Sequence, residues 1–309
     1  MPAAPQTRRD GDDRAADAAA AAAADDNDDV IFLVNPHAGP TGAAPFVEEL
    51  RARGLAYFVT ETKEAVPTFF ATAAKPYRVV VVCGGDGTVN SVLPYAVGAE
   101  QAFAVYPNGS GDGFAKEMGY TRDLDALLAA ARRGETTCVD VMRAGDHYAC
   151  NVVGVGFDSY VAREFAKQAG RGLKTYVVEG TKAYQAFEPI RARVSVDGEV
   201  RGDEEYAMIT VANTPQFGNN ARIAPGADAS DGLLDVVLVR PMPLFQALRF
   251  LVEVFAGRED ATRYVTYLRG RDVLIETDCP HCQIDGETFP FRENQLRVSI
   301  AGEANWLCV

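Results

Sequence analysis

No uninterrupted apolar run in the 309-residue chain approaches the ~20 residues of a membrane-spanning helix, which excludes a bundle of such helices. Positive charge is also scarce. Lys and Arg number 30 against 43 Asp and Glu, a formal net charge of −13. A chain this acidic is a poor candidate for binding nucleic acid through counterion release. It equally lacks the basic cluster that would hold it constantly on an anionic membrane. A disulfide framework is missing too, because Cys83, Cys138, Cys150, Cys279, Cys282 and Cys308 are scattered as in proteins of a reducing compartment. Cys279-Pro280-His281-Cys282 has metal-like spacing but no second ligand pair nearby, so these read as ordinary thiols. His37 and His147 have no evident triad partners, and no internal repeat is visible. These absences lead to an expectation of a cytoplasmic protein with no transmembrane span and no nucleic-acid partner.

What is present begins with a biased tail. Residues 1–29 hold three arginines and eight aspartates around the small-residue run Ala18–Ala24, and are expected to form a disordered Ala/Asp tail. Ala-only runs are weakly hydrophobic and transit peptides avoid acids, so neither a signal peptide nor a transit peptide is read here. From Val30 the pattern is strand, turn and helix in alternation: Val30–Asn35, a helix through Phe46 and Leu50, Ala56–Val59, a helix near Val66–Ala74, Arg78–Cys83, Val89–Val97, Ala102–Tyr106 and Gly113–Met118. Short connections and runs apolar on both faces predict a parallel sheet covered by helices, a Rossmann-like three-layer α/β domain over 30–140. Beyond it the rhythm turns to strands, at Cys138–Arg143, His147–Val153, Ile190–Val196, Tyr206–Ala212, Leu234–Val239, Asp272–Glu276 and Leu296–Ile300. Helical stretches are expected at Asp158–Lys167, Thr175–Ala186 and Leu244–Phe255, and residues 141–309 as a whole read as a β-rich sandwich domain. Leu244–Phe255 reads as a core helix, with a face toward a bilayer or lipid cleft, probed at Phe250, as the alternative.

Ligands of such parallel sheets sit beyond the carboxyl ends of the strands. Three glycine-rich turns, after Asn35, Cys83 and Tyr106, lie at that edge. Gly84-Gly85-Asp86-Gly87-Thr88 follows a buried strand and opens a helix; its glycines allow a ligand close to the backbone, and helix-start N–H groups favour an anion. Asp86 would repel phosphate, and makes sense near Mg²⁺ or near a hydroxyl that must lose its proton. Pro107–Asp112, with Gly109 and Ser110, repeats the arrangement one βα unit later.

GGDGTVN (Gly84–Asn90) resembles the nucleotide-binding signature of the diacylglycerol kinase catalytic domain family, which includes bacterial lipid kinases and sphingosine kinases. VNPHAG (Val34–Gly39), PNGSGDGFAKEMG (Pro107–Gly119), NVVGVGFD (Asn151–Asp158), IAPGADASDGLLD (Ile223–Asp235) and IDGE (Ile284–Glu287) resemble five further motifs of that family, in its order. The resemblance implies an ATP- and Mg²⁺-dependent kinase that phosphorylates a lipid hydroxyl, of diacylglycerol or of a sphingoid base or ceramide, at the membrane surface. It implies nucleotide contacts from Asn35, Thr60, Gly84, Gly85, Asp86, Gly87, Thr88, Asn90, Gly109 and Ser110, with Thr62 as the other reading of the Thr60 position. Glu287 matches the general base of bacterial members and Asp86 that of the sphingosine-kinase branch, so the base is one of the two. Asp231, the Leu233 carbonyl and Asp228 match a metal site, and Asp158 an acid near the lipid head group.

Pro40-Thr41, Ser91 and Asp112-Gly113 depart from the family pattern, each moving or removing a charge near the phosphates. A catalytically weakened lipid- or nucleotide-binding homologue is therefore one alternative. An NAD kinase-like phosphotransferase is the other, although the second half lacks that enzyme's expected segments. Transient membrane association is expected for an insoluble acceptor, and a homodimer is compatible with the sequence.

Overall fold

A computed structural model describes residues 29–39, 42–62, 64–109, 111–160, 184–218, 220–260, 262–290 and 294–309. The tail up to residue 28, Ser110 and most of the helical stretches expected over 158–186 lie outside the described residues. The first half alternates as its hydrophobic runs require. Strands β1 (Val30–Val34), β2 (Ala56–Val59), β3 (Val79–Gly84) and β4 (Ala102–Pro107) pair in parallel, in the order β2-β1-β3-β4. β1 and β3 are buried along their whole length, because helices cover both faces of the sheet. These helices are α1 (Ala44–Ala52), α2 (Ala65–Ala71), α3 (Asp86–Ala96), α4 (Gly113–Glu117) and α5 (Leu124–Arg133). α5 starts where the Asp123 carboxylate accepts from Ala126 N at 3.0 Å, and ends at Gly134 in the left-handed conformation.

The second half is antiparallel. β5 (Thr136–Ala144), β6 (His147–Ala149), β8 (Ile190–Val196), β9 (Glu199–Tyr206), β13 (Asp272–Thr277) and β16 (Gln295–Leu307) extend the first sheet to ten strands. β7 (Val152–Gly156), β10 (Met208–Ala212), β11 (Leu234–Val239), β12 (Val265–Gly270), β14 (His281–Ile284) and β15 (Glu287–Pro290) form a second sheet, in the order β12-β11-β10-β7-β14-β15. Alternation along the strands assigns the layers. Val153, Ile209, Val211 and Val236 face the first sheet and pack with Val194 and Ile275, whereas Val152, Met208, Val237 and Val239 form an outer layer. Helix α6 (Leu244–Ala256) covers that outer layer through Val254, Ala247 and Phe250.

Strands β9, β12, β14 and β15 were not expected from the sequence, and the expected Tyr206–Ala212 is divided between β9 and β10. Two further strands differ for identifiable reasons. The expected strand His147–Val153 is broken into β6 and β7, because Cys150, Asn151 and Val152 donate their amide hydrogens to a side chain instead of a ladder. The expected Leu296–Ile300 is the start of a 13-residue strand, in which an irregularity between Ile300 and Gly302 interrupts the apolar alternation. The far end of β16 returns to the first half. Asn305 and Trp306 pair in parallel with Ala102 and Phe103 of β4. Trp306 is fully buried, its ring 4.5 Å from that of Phe114 and 5.9 Å from that of Phe103, and Tyr120 OH donates to Leu307 O at 2.7 Å.

This placement makes Trp306 a keystone of the α/β core rather than of the sandwich. Trp306→Ala should cost about 3–5 kcal/mol in urea unfolding followed by circular dichroism. A loss below about 1 kcal/mol would contradict the placement, since only a poorly packed indole is removed so cheaply.

Candidate active site

The three glycine-rich turns predicted to lie at one sheet edge are laced together there. Asn35, at the end of β1, donates its side-chain amide to Thr88 Oγ1 at 2.9 Å, and its backbone N–H to Cys83 O at 3.0 Å. Asn108, at the end of β4, donates its side-chain amide to Ala38 O at 2.9 Å and its backbone N–H to Gly84 O at 3.0 Å. The second and third turns touch backbone to backbone: a Cβ on Gly109 would stand 2.5 Å from Gly85 Cα, so neither position tolerates a side chain. Thr60 is buried and donates its hydroxyl to Val34 O at 3.2 Å, which ties the end of β2 to β1.

Asp86 is the first residue of α3, yet its carboxylate serves the next helix. Oδ2 accepts from Gly113 N at 3.0 Å and Oδ1 from Phe114 N at 3.1 Å, at the start of α4. Asp112 accepts from Gly109 N at 2.8 Å, and burial beside Asp86 pushes its carboxyl above the ordinary carboxylate range. Two cations flank this turn: Lys116 Nζ donates to Gly111 O at 2.6 Å, and Arg122 Nε to Pro107 O at 2.8 Å. Neither was singled out in the sequence; their place just beyond the third turn is the signal that could have found them.

The second half reaches this edge through one hairpin. β14 and β15 are joined by Asp285 and Gly286, both at positive φ, the two-residue turn that Asp-Gly favours. The Asp285 carboxylate accepts from Cys150 N at 2.9 Å, Asn151 N at 2.9 Å and Val152 N at 3.0 Å, and from Asn90 Nδ2 at 3.2 Å. Burial still raises its pKa, with the three amides opposing the rise. The hairpin thereby sets Glu287 against the second glycine turn, where a Cβ on Gly87 would lie 2.5 Å from Glu287 Oε1. Asn90, expected at the nucleotide, also ties the halves together: its amide donates to Tyr148 O at 2.5 Å as well. It points there because it lies one helical turn past the glycines, on the face of α3 that meets β6.

Asp158 lies apart from the turns, after β7. Ser159 N donates to it at 2.7 Å and Thr210 Oγ1 at 3.3 Å, and it folds back over Gly154, where any Cβ would overlap its Oδ2. Burial raises its pKa to about 7.

The residues expected to hold a metal are otherwise engaged. Asp231 accepts from Leu233 N at 3.0 Å and is ion-paired with Arg269, whose Nε also reaches Asp235 at 3.3 Å. Asp228 accepts from Ser230 N and Oγ at 3.0 and 2.7 Å. The Arg269 guanidinium already occupies Asp231, and among the described residues no group of three or more His, Cys, Asp or Glu could hold a metal ion. The set does not fit a protein-held metal, and no chemistry is derived through one.

The fold class is therefore an α/β domain with a mainly parallel sheet, joined to an antiparallel β-sandwich. Solved structures share it. A diacylglycerol kinase of Bacillus anthracis superposes with a TM-score of 0.67 at 20% identity, over 91% of this chain and 96% of that one. An NAD kinase of Archaeoglobus fulgidus in complex with ATP superposes with a TM-score of 0.51 at 12% identity, over 90% of this chain and 93% of that one. The diacylglycerol kinase catalytic domain model matches residues 29–144, and that of the YegS C-terminal NAD kinase beta sandwich-like domain matches 151–304. A diacylglycerol kinase of Mycobacterium tuberculosis is 28% identical over 226 residues, 70% of this chain and 72% of that protein. The chain thus pairs a diacylglycerol kinase-type catalytic domain in its first half with a YegS-type sandwich domain in its second.

Two measurements test this geometry. Asp158 has a folded-state pKa of about 7 against an ordinary value of 3.8, so the native state binds the extra proton between those values and stability falls as pH rises through that window. Asp158→Asn should therefore raise the unfolding temperature at pH 8 and leave it nearly unchanged at pH 4. Separately, EDTA should leave the unfolding temperature of the native chain unchanged, whereas Arg269→Gln should lower it with or without Mg²⁺. A chelator-induced drop in the native chain would restore the metal assignment to Asp228 and Asp231.

Proposed function

We propose that the chain transfers the γ-phosphoryl group of ATP to the hydroxyl of a lipid, with diacylglycerol the first acceptor to try and sphingoid bases or ceramide the next. The observation that carries this reading is the meeting of Glu287 with Gly87, an acid from the sandwich against the glycine turn of the α/β half. Phosphoryl transfer needs little covalent chemistry from a protein; it needs phosphates held still, charge neutralised and the attacking hydroxyl relieved of its proton. In this reading the nucleotide unit is built on residues 30–140 with the end of β16 added, and the acceptor unit on 141–309.

ATP enters as its Mg²⁺ complex. Its phosphates lie over the turns at Gly84–Thr88 and Gly109, where the close Gly85–Gly109 approach leaves backbone rather than side chain facing the ligand. Lys116 and Arg122 supply positive charge beside the third turn, compensating for the uncharged Pro40-Thr41 of the first. Of the two acids that compete for the role of base, Glu287 is favoured. Both oxygens of Asp86 accept amide hydrogens at the start of α4, so this acid orients the third turn against the second. Asp158 sits on the outer face of the second sheet, and in this reading meets the head group of the acceptor.

The test is an assay with radiolabelled ATP over diacylglycerol, sphingosine and ceramide dispersed in detergent. Labelled lipid should form from at least one, and Glu287→Gln should reduce its formation by about a hundredfold or more while ATP binding is retained. No labelled lipid from any of the three would sink the kinase reading. An active Glu287→Gln enzyme would return the role of base to Asp86.

A further inference from the structure

Exposed apolar surface on this chain is concentrated on one helix. Among the described residues, the exposed large hydrophobic side chains are Val200, Phe245, Leu248, Val252 and Val309, and three of the five lie on α6. Phe245 is 75% exposed and Val252 61%. Their spacings of three and four positions align them along one side of the helix. The opposite side is already occupied: Val254 is buried, and Ala247 and Phe250 pack on the outer layer of the second sheet. Phe250, the position suggested by the sequence for a bilayer contact, is thus part of the core face. α6 has two apolar faces, and the fold uses only one.

Charge on the exposed side departs from that of the whole chain. Arg249 is exposed, four positions after Phe245 and three before Val252, so its guanidinium borders the stripe. Arg240, just before α6, and Arg263, just after it, line an open groove with Arg191, Glu204 and Glu205, where Arg240 is ion-paired with Glu204 and the arginines outnumber the acids by one. Residues 240–263 hold four arginines and three acids, in a chain where acids outnumber bases by 13.

We propose that the Phe245–Leu248–Val252 face of α6 docks the protein on an anionic lipid bilayer. The proposal deepens the lipid-kinase reading and rests on it for the identity of the occupant. Three side chains fall far short of the roughly 20–30 residues a side in a stable protein interface, but they suit shallow insertion of an amphipathic helix. The long Arg249 side chain lets its charge reach lipid phosphates while its stem lies along the apolar stripe. Geometry adds a reason for this helix. Its buried face covers the layer containing Val237, which pairs across the ladder with Thr210, the hydrogen-bond donor to Asp158. Docking through the exposed face brings the bilayer to the side of the sandwich where the candidate head-group acid lies. With so few anchoring groups and a net charge of −13, the attachment is reversible.

The experiment is co-sedimentation of the full chain with vesicles of phosphatidylglycerol and phosphatidylcholine, or of phosphatidylcholine alone, with neither ATP nor acceptor lipid present. The native chain should bind the anionic vesicles in preference. Phe245→Ser with Val252→Ser should weaken that binding by about tenfold or more, and Arg249→Glu should weaken it by about tenfold, all with unchanged unfolding temperature. A Phe245→Trp variant gives a second readout: its emission should shift to the blue on anionic vesicles, while the single native tryptophan, Trp306, is already fully buried. Phosphorylation of a monomeric short-chain diacylglycerol should be the same in the native chain and the serine variant. Failure of that reaction in both would count against the kinase reading alone, because vesicle binding is measured without it. The docking proposal is overturned if the native chain ignores anionic vesicles, if the emission of the Phe245→Trp variant does not move, or if the serine substitutions instead abolish a dimer seen by sedimentation velocity.

Discussion

Everything at the candidate site depends on one carboxylate receiving several hydrogens at once. Asp285 accepts three successive backbone amides, from Cys150, Asn151 and Val152, and a fourth hydrogen from Asn90. Those amides would otherwise be orphaned where the chain leaves β6 for β7, and a buried carboxylate would otherwise be too costly to keep. Each need answers the other. The bond set joins a helix of the α/β half, the crossover into the sandwich and the tip of the β14–β15 hairpin. Glu287, two residues further on, inherits its position from this arrangement.

The acids around the edge divide their work in a way that charge alone would not suggest. Asp86 caps α4, Asp112 holds the amide of Gly109, Asp285 gathers the crossover, and Asp231 is matched to Arg269. In each case a carboxylate terminates or bridges backbone that has no ladder partner, or is neutralised by a neighbouring cation. The departures from the family pattern read consistently with this. Asp112-Gly113 keeps an acid where it can hold the third turn, while Lys116 and Arg122 place positive charge beside that turn.

How much of this could be read in advance varies with how local the cause is. β1, β3 and β4 were legible because burial on both faces leaves an unbroken apolar run, and the glycine turns because close backbone approach admits few other residues. β8 and β11 matched their expected bounds, since a strand with one or two buried faces declares itself by alternation or by continuity. The break between β6 and β7 was not legible, because its cause is a carboxylate more than 130 positions away. Nor was the structural tie made by Asn90: its place in the signature implied a nucleotide contact, and only the packing of α3 against β6 shows what else it joins. The ion pair at the expected metal set was hidden for a similar reason. Asp228 and Asp231 are neighbours in sequence, but Arg269, which engages Asp231, comes from another strand.

The return of β16 to the first sheet has a consequence for the order in which the chain acquires structure. Tyr120 and Leu307 are hydrogen-bonded across 187 positions, and Trp306 fills the same core as β3 and β4. An α/β half of this kind would ordinarily consolidate while later residues are still on the ribosome. Here its sheet keeps an open edge beside β4, and a vacant indole-sized space, through the synthesis of the whole sandwich. Until residues near 306 emerge, that edge is a template for mispairing, and the closing step is a long-range strand pairing of the slow kind. The two halves cannot mature one after the other; they are completed together, by the strand they share.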